Sequence, residues 1–204
     1  MAFEMGLEVS SVAVRRGGRT VLAGVSFGLL PGEALQLRGG NGSGKTSMLR
    51  AAAGLAPYEG EIRFRRLGQD LDPGYIRAHE VHYVGTESGL APRLTVAENA
   101  EFLSGFYGVT LGDEVEQLGL AGHLSRKVAT LSSGQRRRLA LLRLLINPRA
   151  LWLLDEPFIA LDDDGQLIVR TLIDAHRDRG GMVMVALHDT DDLPRAKTLT
   201  VVAP

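Results

Sequence analysis

Cysteine is missing from this chain of 204 residues. Its absence excludes disulfide bonds and thiolate metal sites, and it fits a reducing compartment. A strong charge imbalance is missing too, because the formal net charge is −1, so nothing in the overall charge favours a nucleic-acid partner. No stretch approaches the roughly 18–20 apolar residues of a membrane span. The first ten residues, which include Glu4 and Glu8, lack the pattern of a signal peptide. We therefore expect no direct membrane insertion, so that any membrane role comes through a partner.

Lysine is also scarce, with Lys45, Lys127 and Lys197 among 23 basic residues. One of the three, Lys45, ends a glycine-rich loop. A slim ammonium can lie along phosphates inside a tight backbone turn, where a planar guanidinium would not fit. This single position mildly favours a phosphate-binding loop.

Strand and helix patterns alternate at both ends of the chain. Strands are predicted at residues 7–14, 21–30, 34–38, 61–64, 81–84, 151–154, 182–187 and 199–202, and helices at 46–53, 95–106, 113–118, 133–146 and 165–179. This alternation predicts an α/β fold with a mainly parallel sheet covered by helices. We expect one domain over residues 1–204, with a core of residues 1–84 and 148–204 and an inserted helical subdomain at 85–147.

The glycine-rich loop follows a predicted strand and precedes a predicted helix, as a phosphate-binding loop requires. Its backbone N–H groups and the start of the helix would face the phosphates. Thr46 is placed to ligate Mg²⁺ and Ser47 to reach the α-phosphate. The nucleotide-binding residues are predicted to be Gly39, Asn41, Gly42, Ser43, Gly44, Lys45, Thr46 and Ser47.

Two carboxylates end the buried strand at residues 151–154. Asp155 would hold the Mg²⁺ shell, and Glu156 would be the general base that polarises the attacking water. His188 follows another predicted strand, at the sheet edge where α/β proteins place ligands, and we interpret it as a γ-phosphate contact rather than a structural histidine. The catalytic residues are therefore predicted to be Glu156 and His188.

A second helix start lies in the segment Leu131-Ser132-Ser133-Gly134-Gln135. Its backbone N–H groups could bind an anion, although a plain serine N-cap would explain one serine alone. A second set of phosphate ligands is surplus within one chain and becomes useful if it faces the nucleotide of another copy. We interpret the next three residues, Arg136, Arg137 and Arg138, as a solvated helix face.

These motifs together resemble the ATP-binding subunits of ABC transporters. GGNGSGKT resembles the Walker A loop, LSSGQ the signature, LWLLDE the Walker B strand, Ala160-Leu161-Asp162 the D-loop and His188 the switch histidine. The resemblance implies a P-loop NTPase with a RecA-like core and an antiparallel β subdomain at the N-terminus. It also implies a homodimer, in which Ser132, Ser133, Gly134 and Gln135 complete the partner's ATP site.

Within that family the chain is similar to the subunits of cytochrome c maturation systems, also called haem exporter subunits. The likeness lies in the short length and in the phrases LTVAENAEFL and LSSGQRRRLALLRLL. It implies an ATPase that uses ATP and Mg²⁺ with integral-membrane permease subunits, peripherally at the cytoplasmic face of the inner membrane. ATP hydrolysis would be linked to release of a haem-loaded chaperone or to haem export.

Two positions depart from the family pattern. Glu87 stands where a glutamine is expected, so we assign it to the Mg²⁺ site with Thr46 and Asp155, and we expect the extra charge to slow hydrolysis or make it more dependent on Mg²⁺. The expected adenine-stacking aromatic is replaced by Arg15 or Arg16, which predicts weak base selectivity.

Two alternatives stay open at this point. The chain could serve another ABC exporter, or it could be a nucleotide-gated assembly module with little turnover. The partner surface is expected near the turn at residues 88–94, with Leu90 as one docking residue.

Overall fold

The computed structural model describes residues 3–188 and 191–202. The chain forms two compact units. The first unit takes the chain up to Tyr83, the segment Arg149–Glu156 and the part from Ile173 onward, and the second takes Val84–Pro148 and Pro157–Leu172.

An antiparallel sheet of four strands, in the order β2-β1-β4-β5, lies in the first unit. Its strands are β1 (Met5–Arg16), β2 (Arg19–Leu29), β4 (Glu59–Arg66) and β5 (Gln69–Leu71). A tight turn joins β1 to β2, because Arg16 pairs with Arg19. Gly17 and Gly18 both have positive φ, as the favoured hairpin turn requires.

A β-bulge in β1 changes which side chains face the core. Leu7 and Val9 are buried before it, whereas Val12 and Val14 are buried after it. The register shifts between Val9 and Val12, and Ser11 has φ 51°. The extra residue moves the apolar set from odd to even positions, so one face of the strand stays buried along its length.

The second sheet has five strands, in the order β6-β7-β8-β3-β9. Its strands are β3 (Ala34–Arg38), β6 (Val81–Val84), β7 (Leu151–Asp155), β8 (Met182–Ala186) and β9 (Lys197–Thr200). The pairs β7–β8, β8–β3 and β3–β9 are parallel. Every residue of β7 and β8 is buried, as expected for strands covered on both faces. The parallel core and the antiparallel N-terminal sheet confirm the predicted fold class.

The helices of the first unit include α1 (Lys45–Ala52), directly after the glycine loop, and α2 (Pro73–His79). The carboxylate of Asp72 caps α2 by accepting a hydrogen bond from Tyr75 N at 2.6 Å. The long helix α7 (Asp163–Asp178) begins in the second unit and ends in the first.

The second unit is helical. It contains α3 (Val96–Tyr107), α4 (Glu114–Gln117), α5 (Ser133–Ala140) and α6 (Leu142–Ile146), with short 3₁₀ turns at Ala121–His123 and Val128–Thr130. The single helix predicted at residues 133–146 is wrong, because it breaks at Leu141. There Leu141 N donates to Arg138 O at 3.0 Å and Leu144 N to Leu141 O at 2.9 Å, so bonds three residues apart tighten the turn.

The three consecutive arginines do not form the solvated face that the sequence suggested. Arg137 is 5% exposed and donates to Gly85 O, while Arg138 donates to Leu118 O at 2.8 Å and Arg136 to Leu131 O. Loop carbonyls that no strand or helix satisfies need donors, and a guanidinium supplies several in a fixed geometry. These side chains therefore hold the loops of the second unit.

No helix in the described part of the chain is long and apolar enough to cross a lipid bilayer.

Candidate active site

The glycine loop at residues 39–44 connects β3 to α1 and depends on glycine at two positions. Gly39 has φ 140°, and a Cβ there would collide with Val201 O. Gly44 has φ 106°, and a Cβ would lie 2.5 Å from Val21 O. Both the backbone conformation and the lack of space exclude larger residues, so the loop can pack closely against the backbone at Val21 and Val201.

Two polar side chains of this loop face its interior. Lys45 is buried, and its ammonium donates to Gly39 O and, at 3.2 Å, to Gly40 O. Ser43 Oγ is buried and has no hydrogen-bond partner among the described residues. A buried hydroxyl normally has a hydrogen-bond partner, so the unpartnered Ser43 oxygen indicates that the loop holds a polar ligand.

A cleft of about 430 Å³ opens over the loop. It is lined by residues 41–47 together with Arg16, Val21, Arg50 and Glu156. Of the two arginines proposed for base stacking, Arg16 lines this cleft. A volume of this size is typical of small-ligand pockets.

Thr46 and Asp155, both predicted to be magnesium ligands, meet in the structure. Thr46 Oγ1 donates to Asp155 Oδ1 at 3.1 Å, and Asp155 is only 2% exposed. Hydroxyl and carboxylate oxygens suit Mg²⁺, which often completes its shell with substrate phosphates and water. The described residues contain no group of three His, Cys, Asp or Glu side chains that could hold a metal ion.

Glu87, the third predicted magnesium ligand, belongs to the second unit, and its side chain is exposed. Its place in the metal shell stays a prediction.

Tyr83 and Arg50 extend the Asp155 cluster, and sequence reasoning missed both. The Tyr83 hydroxyl lies 3.4 Å from Asp155 Oδ2, and Arg50 Nε lies 3.3 Å from the Tyr83 oxygen. Burial raises the pKa of Tyr83, and the neighbouring Asp155 adds to the effect, so the hydroxyl keeps its proton. The available signal was a tyrosine on a strand whose carboxyl end lies beside the Asp155 strand.

Glu156 and His188 also come together. His188 Nε2 lies 3.2 Å from Glu156 Oε1, at the carboxyl ends of β7 and β8. Glu156 N donates to Ala186 O at 3.0 Å, which continues the strand pairing, while its φ of 53° turns the chain sharply. A non-glycine residue in this conformation costs roughly 1–3 kcal/mol, and such strain is common at functional sites.

The segment Ser132-Ser133-Gly134-Gln135 forms a helix cap in the second unit. Ser132 Oγ accepts from Gln135 N at 3.1 Å, and Gln135 Oε1 accepts from Ser132 N at 3.0 Å. Gln135 also contacts His123, with 2.9 Å between the two side-chain nitrogens. The side chains of Ser132 and Gln135 thus serve the cap, which leaves Ser133 exposed at the helix start.

Asp162 caps a helix as well. Its Oδ1 accepts from Gly165 N at 2.9 Å, at the start of α7. The neighbouring Ala160 has φ 60°, and its carbonyl packs against Gly134, where a Cβ would come within 2.7 Å. The D-loop candidate and the signature segment are therefore in close contact within the second unit.

A glycine loop after a parallel strand, with acidic residues ending a strand two places away in the same sheet, defines a nucleotide-binding domain of the P-loop type. The sequence model of the ABC transporter family matches residues 22–159. The chain belongs to this family.

Curated relatives resemble the chain over nearly their whole length. The "Cytochrome c biogenesis ATP-binding export protein CcmA" of Rhizobium johnstonii is 39% identical, over 96% of this chain and 94% of the relative. The protein of the same name from Cupriavidus necator is 42% identical, over 95% of this chain and 86% of the relative. These matches confirm the predicted likeness to cytochrome c maturation subunits.

Among solved structures, a putative ABC transporter ATP-binding protein from Pyrococcus furiosus superposes with a TM-score of 0.81. It covers 98% of this chain and 100% of its own chain at 19% identity, and it therefore shows the fold alone.

Proposed function

We propose that this chain is the ATP-hydrolysing subunit of a membrane ABC complex that serves cytochrome c biogenesis. The observation that carries the ATPase part is the pairing of Glu156 with His188 beside the cleft that contains the Lys45 loop. The cytochrome c part rests on relatives about 40% identical that bear that name.

ATP would lie in the cleft with its phosphates in the glycine loop. The Lys45 ammonium would leave the loop carbonyls for the β- and γ-phosphates, and Ser43 Oγ would gain a phosphate oxygen as a partner. Ser47 would reach the α-phosphate. The remaining contacts come from the backbone of Gly39, Asn41, Gly42 and Gly44.

Thr46 and Asp155 would hold Mg²⁺ with phosphate oxygens, and Glu87 would join them from its loop. The ion would neutralise charge that develops on the phosphates. Asp155 suits this role because it is buried and already oriented by Thr46.

Glu156 would take the proton of the attacking water, since its carboxylate lines the cleft. His188, which lies beside that carboxylate, would donate its N–H to the γ-phosphate when ATP is bound. The strained backbone at Glu156 supports this assignment, because it fixes the carboxylate at the end of β7.

A second copy of the chain would complete the site. The N–H end of α5, where Ser133 is exposed, would face the γ-phosphate bound by the partner, and the same would hold reciprocally. Asp162 would lie near this contact because Ala160 packs on Gly134.

Docking to integral-membrane subunits would use the second unit and keep the chain peripheral at the cytoplasmic face. Phe102 and Phe106 of α3 are 67% and 73% exposed, one helical turn apart. Leu90, the residue expected from sequence, is only partly exposed, so the two phenylalanines are the better docking candidates.

Complementation tests the proposal. A strain without the gene is supplied with the wild-type chain or with Glu156→Gln, and haem-stained c-type cytochromes are measured. We expect the wild type to restore them and Glu156→Gln to fail while still binding ATP. Full rescue by Glu156→Gln would indicate an assembly module driven by binding. Normal cytochromes in the deleted strain would assign the chain to another exporter.

A further inference from the structure

The cluster around Asp155 contains more than Thr46 and Asp155, which are two of the three residues assigned to Mg²⁺. We propose that Tyr83 is a positioning residue, which with Arg50 behind it fixes the Asp155 carboxylate so that one oxygen, Oδ1, faces Thr46 and the metal. This inference rests on the proposed function, because it concerns the metal of the same site.

The local structure brings these side chains together for simple reasons. Thr46 and Arg50 are four residues apart on α1, so they lie on the same helix face. Tyr83 and Asp155 lie near the carboxyl ends of β6 and β7, which are neighbours in the sheet. The helix that follows the glycine loop thus supplies two of the four groups, and the adjacent strands supply the other two.

Only one assignment of donors and acceptors fits the contacts among Arg50, Tyr83 and Asp155. An arginine side chain only donates, so Arg50 Nε must donate to the Tyr83 oxygen, 3.3 Å away. An ionised carboxylate only accepts, so Tyr83 must donate its proton to Asp155 Oδ2, 3.4 Å away. Arg50 therefore favours the hydroxyl orientation that points the proton at Asp155.

The two oxygens of Asp155 consequently have different partners. Oδ2 accepts from Tyr83, whereas Oδ1 accepts from Thr46 at 3.1 Å. Without Tyr83 the plane of the carboxylate could turn about the Cβ–Cγ bond, so that neither oxygen would be held as firmly toward Thr46. Groups that orient a metal ligand in this way typically change metal affinity 10–100-fold when they are removed. The 3.4 Å between the Tyr83 hydroxyl and Asp155 Oδ2 is long for a hydrogen bond. We therefore expect a change in metal affinity near the lower end of that range.

The test measures metal binding directly, with Mn²⁺ as a paramagnetic replacement for Mg²⁺ and the non-hydrolysable analogue AMP-PNP as nucleotide. Free Mn²⁺ is followed by electron paramagnetic resonance, and AMP-PNP affinity is measured separately in EDTA. We expect Tyr83→Phe to weaken Mn²⁺ binding to the nucleotide complex about 10-fold while AMP-PNP affinity in EDTA stays within twofold.

The chain offers a matched control in Tyr58. Its hydroxyl accepts from Arg77 Nη2 at 2.9 Å, so Tyr58→Phe also removes an arginine-bound tyrosine hydroxyl from the first unit. Tyr58→Phe should bind Mn²⁺ like the wild type. Equal loss in both variants would mean that a general structural effect, and not positioning of Asp155, is responsible, and would overturn the inference.

A double-mutant cycle tests whether Arg50 acts on Asp155 through Tyr83. Arg50→Gln should weaken Mn²⁺ binding by a smaller factor, and Arg50→Gln combined with Tyr83→Phe should be no worse than Tyr83→Phe alone. Multiplying effects would contradict action through Tyr83. Arg50 lies on the surface, so its variant keeps the test decisive if Tyr83→Phe does not fold.

The outcomes separate this inference from the proposed function. If the wild-type nucleotide complex binds no Mn²⁺, or if Asp155→Asn binds it normally, the proposed metal site is wrong. If the wild-type nucleotide complex binds Mn²⁺ and Asp155→Asn does not, the metal site stands. If Tyr83→Phe then binds Mn²⁺ as tightly as the wild type, only the role of Tyr83 is wrong.

Discussion

A buried histidine makes the stability of this protein depend on pH. His176 is 0% exposed and stacks on Trp152, with 3.8 Å between ring centroids and 6° between planes. Its Nε2 lies 3.3 Å from Met182 O, which requires the proton on that nitrogen, and Nδ1 has no partner in the described part of the chain. Burial, with smaller contributions from the charges of Arg179 and His82, lowers the pKa of His176 to about 3, although the hydrogen bond to Met182 acts in the opposite direction.

The size of the effect follows from proton binding. In the unfolded chain a histidine titrates near 6.5, so between about pH 6.5 and pH 3 the unfolded state binds one more proton than the folded state. The stability that neutral His176 contributes is complete above that range and decreases as the pH falls through it. From pH 7 to pH 5 the free energy of unfolding should drop by about 2 kcal/mol through this residue.

Urea unfolding at both pH values measures this drop, with the fluorescence of Trp152, the only tryptophan, as the signal. His176→Gln keeps a donor toward Met182 O but cannot titrate, so it should lose about 2 kcal/mol less than the wild type over this interval. His79→Gln, which removes an exposed histidine, is the matched control and should behave like the wild type. An equal loss in the wild type and in His176→Gln would refute the reasoning.

Two further predictions concern the positions that depart from the family pattern. Glu87→Gln removes the charge of a proposed metal ligand, so we expect faster ATP hydrolysis and a lower Mg²⁺ requirement; an unchanged rate and an unchanged Mg²⁺ titration would contradict this. Arg16 lines the cleft in place of an aromatic ring, so ATP and GTP should be hydrolysed at similar rates, and Arg16→Tyr should favour ATP. A strong ATP preference in the wild type would count against that assignment.

The sequence predicted the features that depend on local pattern. The glycine loop, the buried strand before Asp155 and the signature cap each combine a short motif with one strand or helix boundary. Glu156 and His188 were each predicted to follow a buried strand, and they come together because parallel strands align their carboxyl ends at one edge of the sheet.

Long-range contacts were beyond the sequence patterns. Arg137 looks like a surface residue in a basic run, yet it is buried and donates a hydrogen bond to Gly85 O, a loop carbonyl distant in sequence. Tyr83 acquires its role from a neighbouring strand, and the bulge at Ser11 depends on pairing with β2. The helix α2 was not predicted, although Asp72 followed by Pro73 is a typical helix start.

The most direct test of the whole account compares ATP hydrolysis by the wild-type chain with hydrolysis by Glu156→Gln, together with the size of each protein in the presence of ATP and Mg²⁺. The account predicts that Glu156→Gln binds ATP, loses at least about 100-fold in turnover and accumulates as an ATP-bound dimer. Turnover equal to that of the wild type would contradict it, because the carboxylate beside His188 would then not be the base.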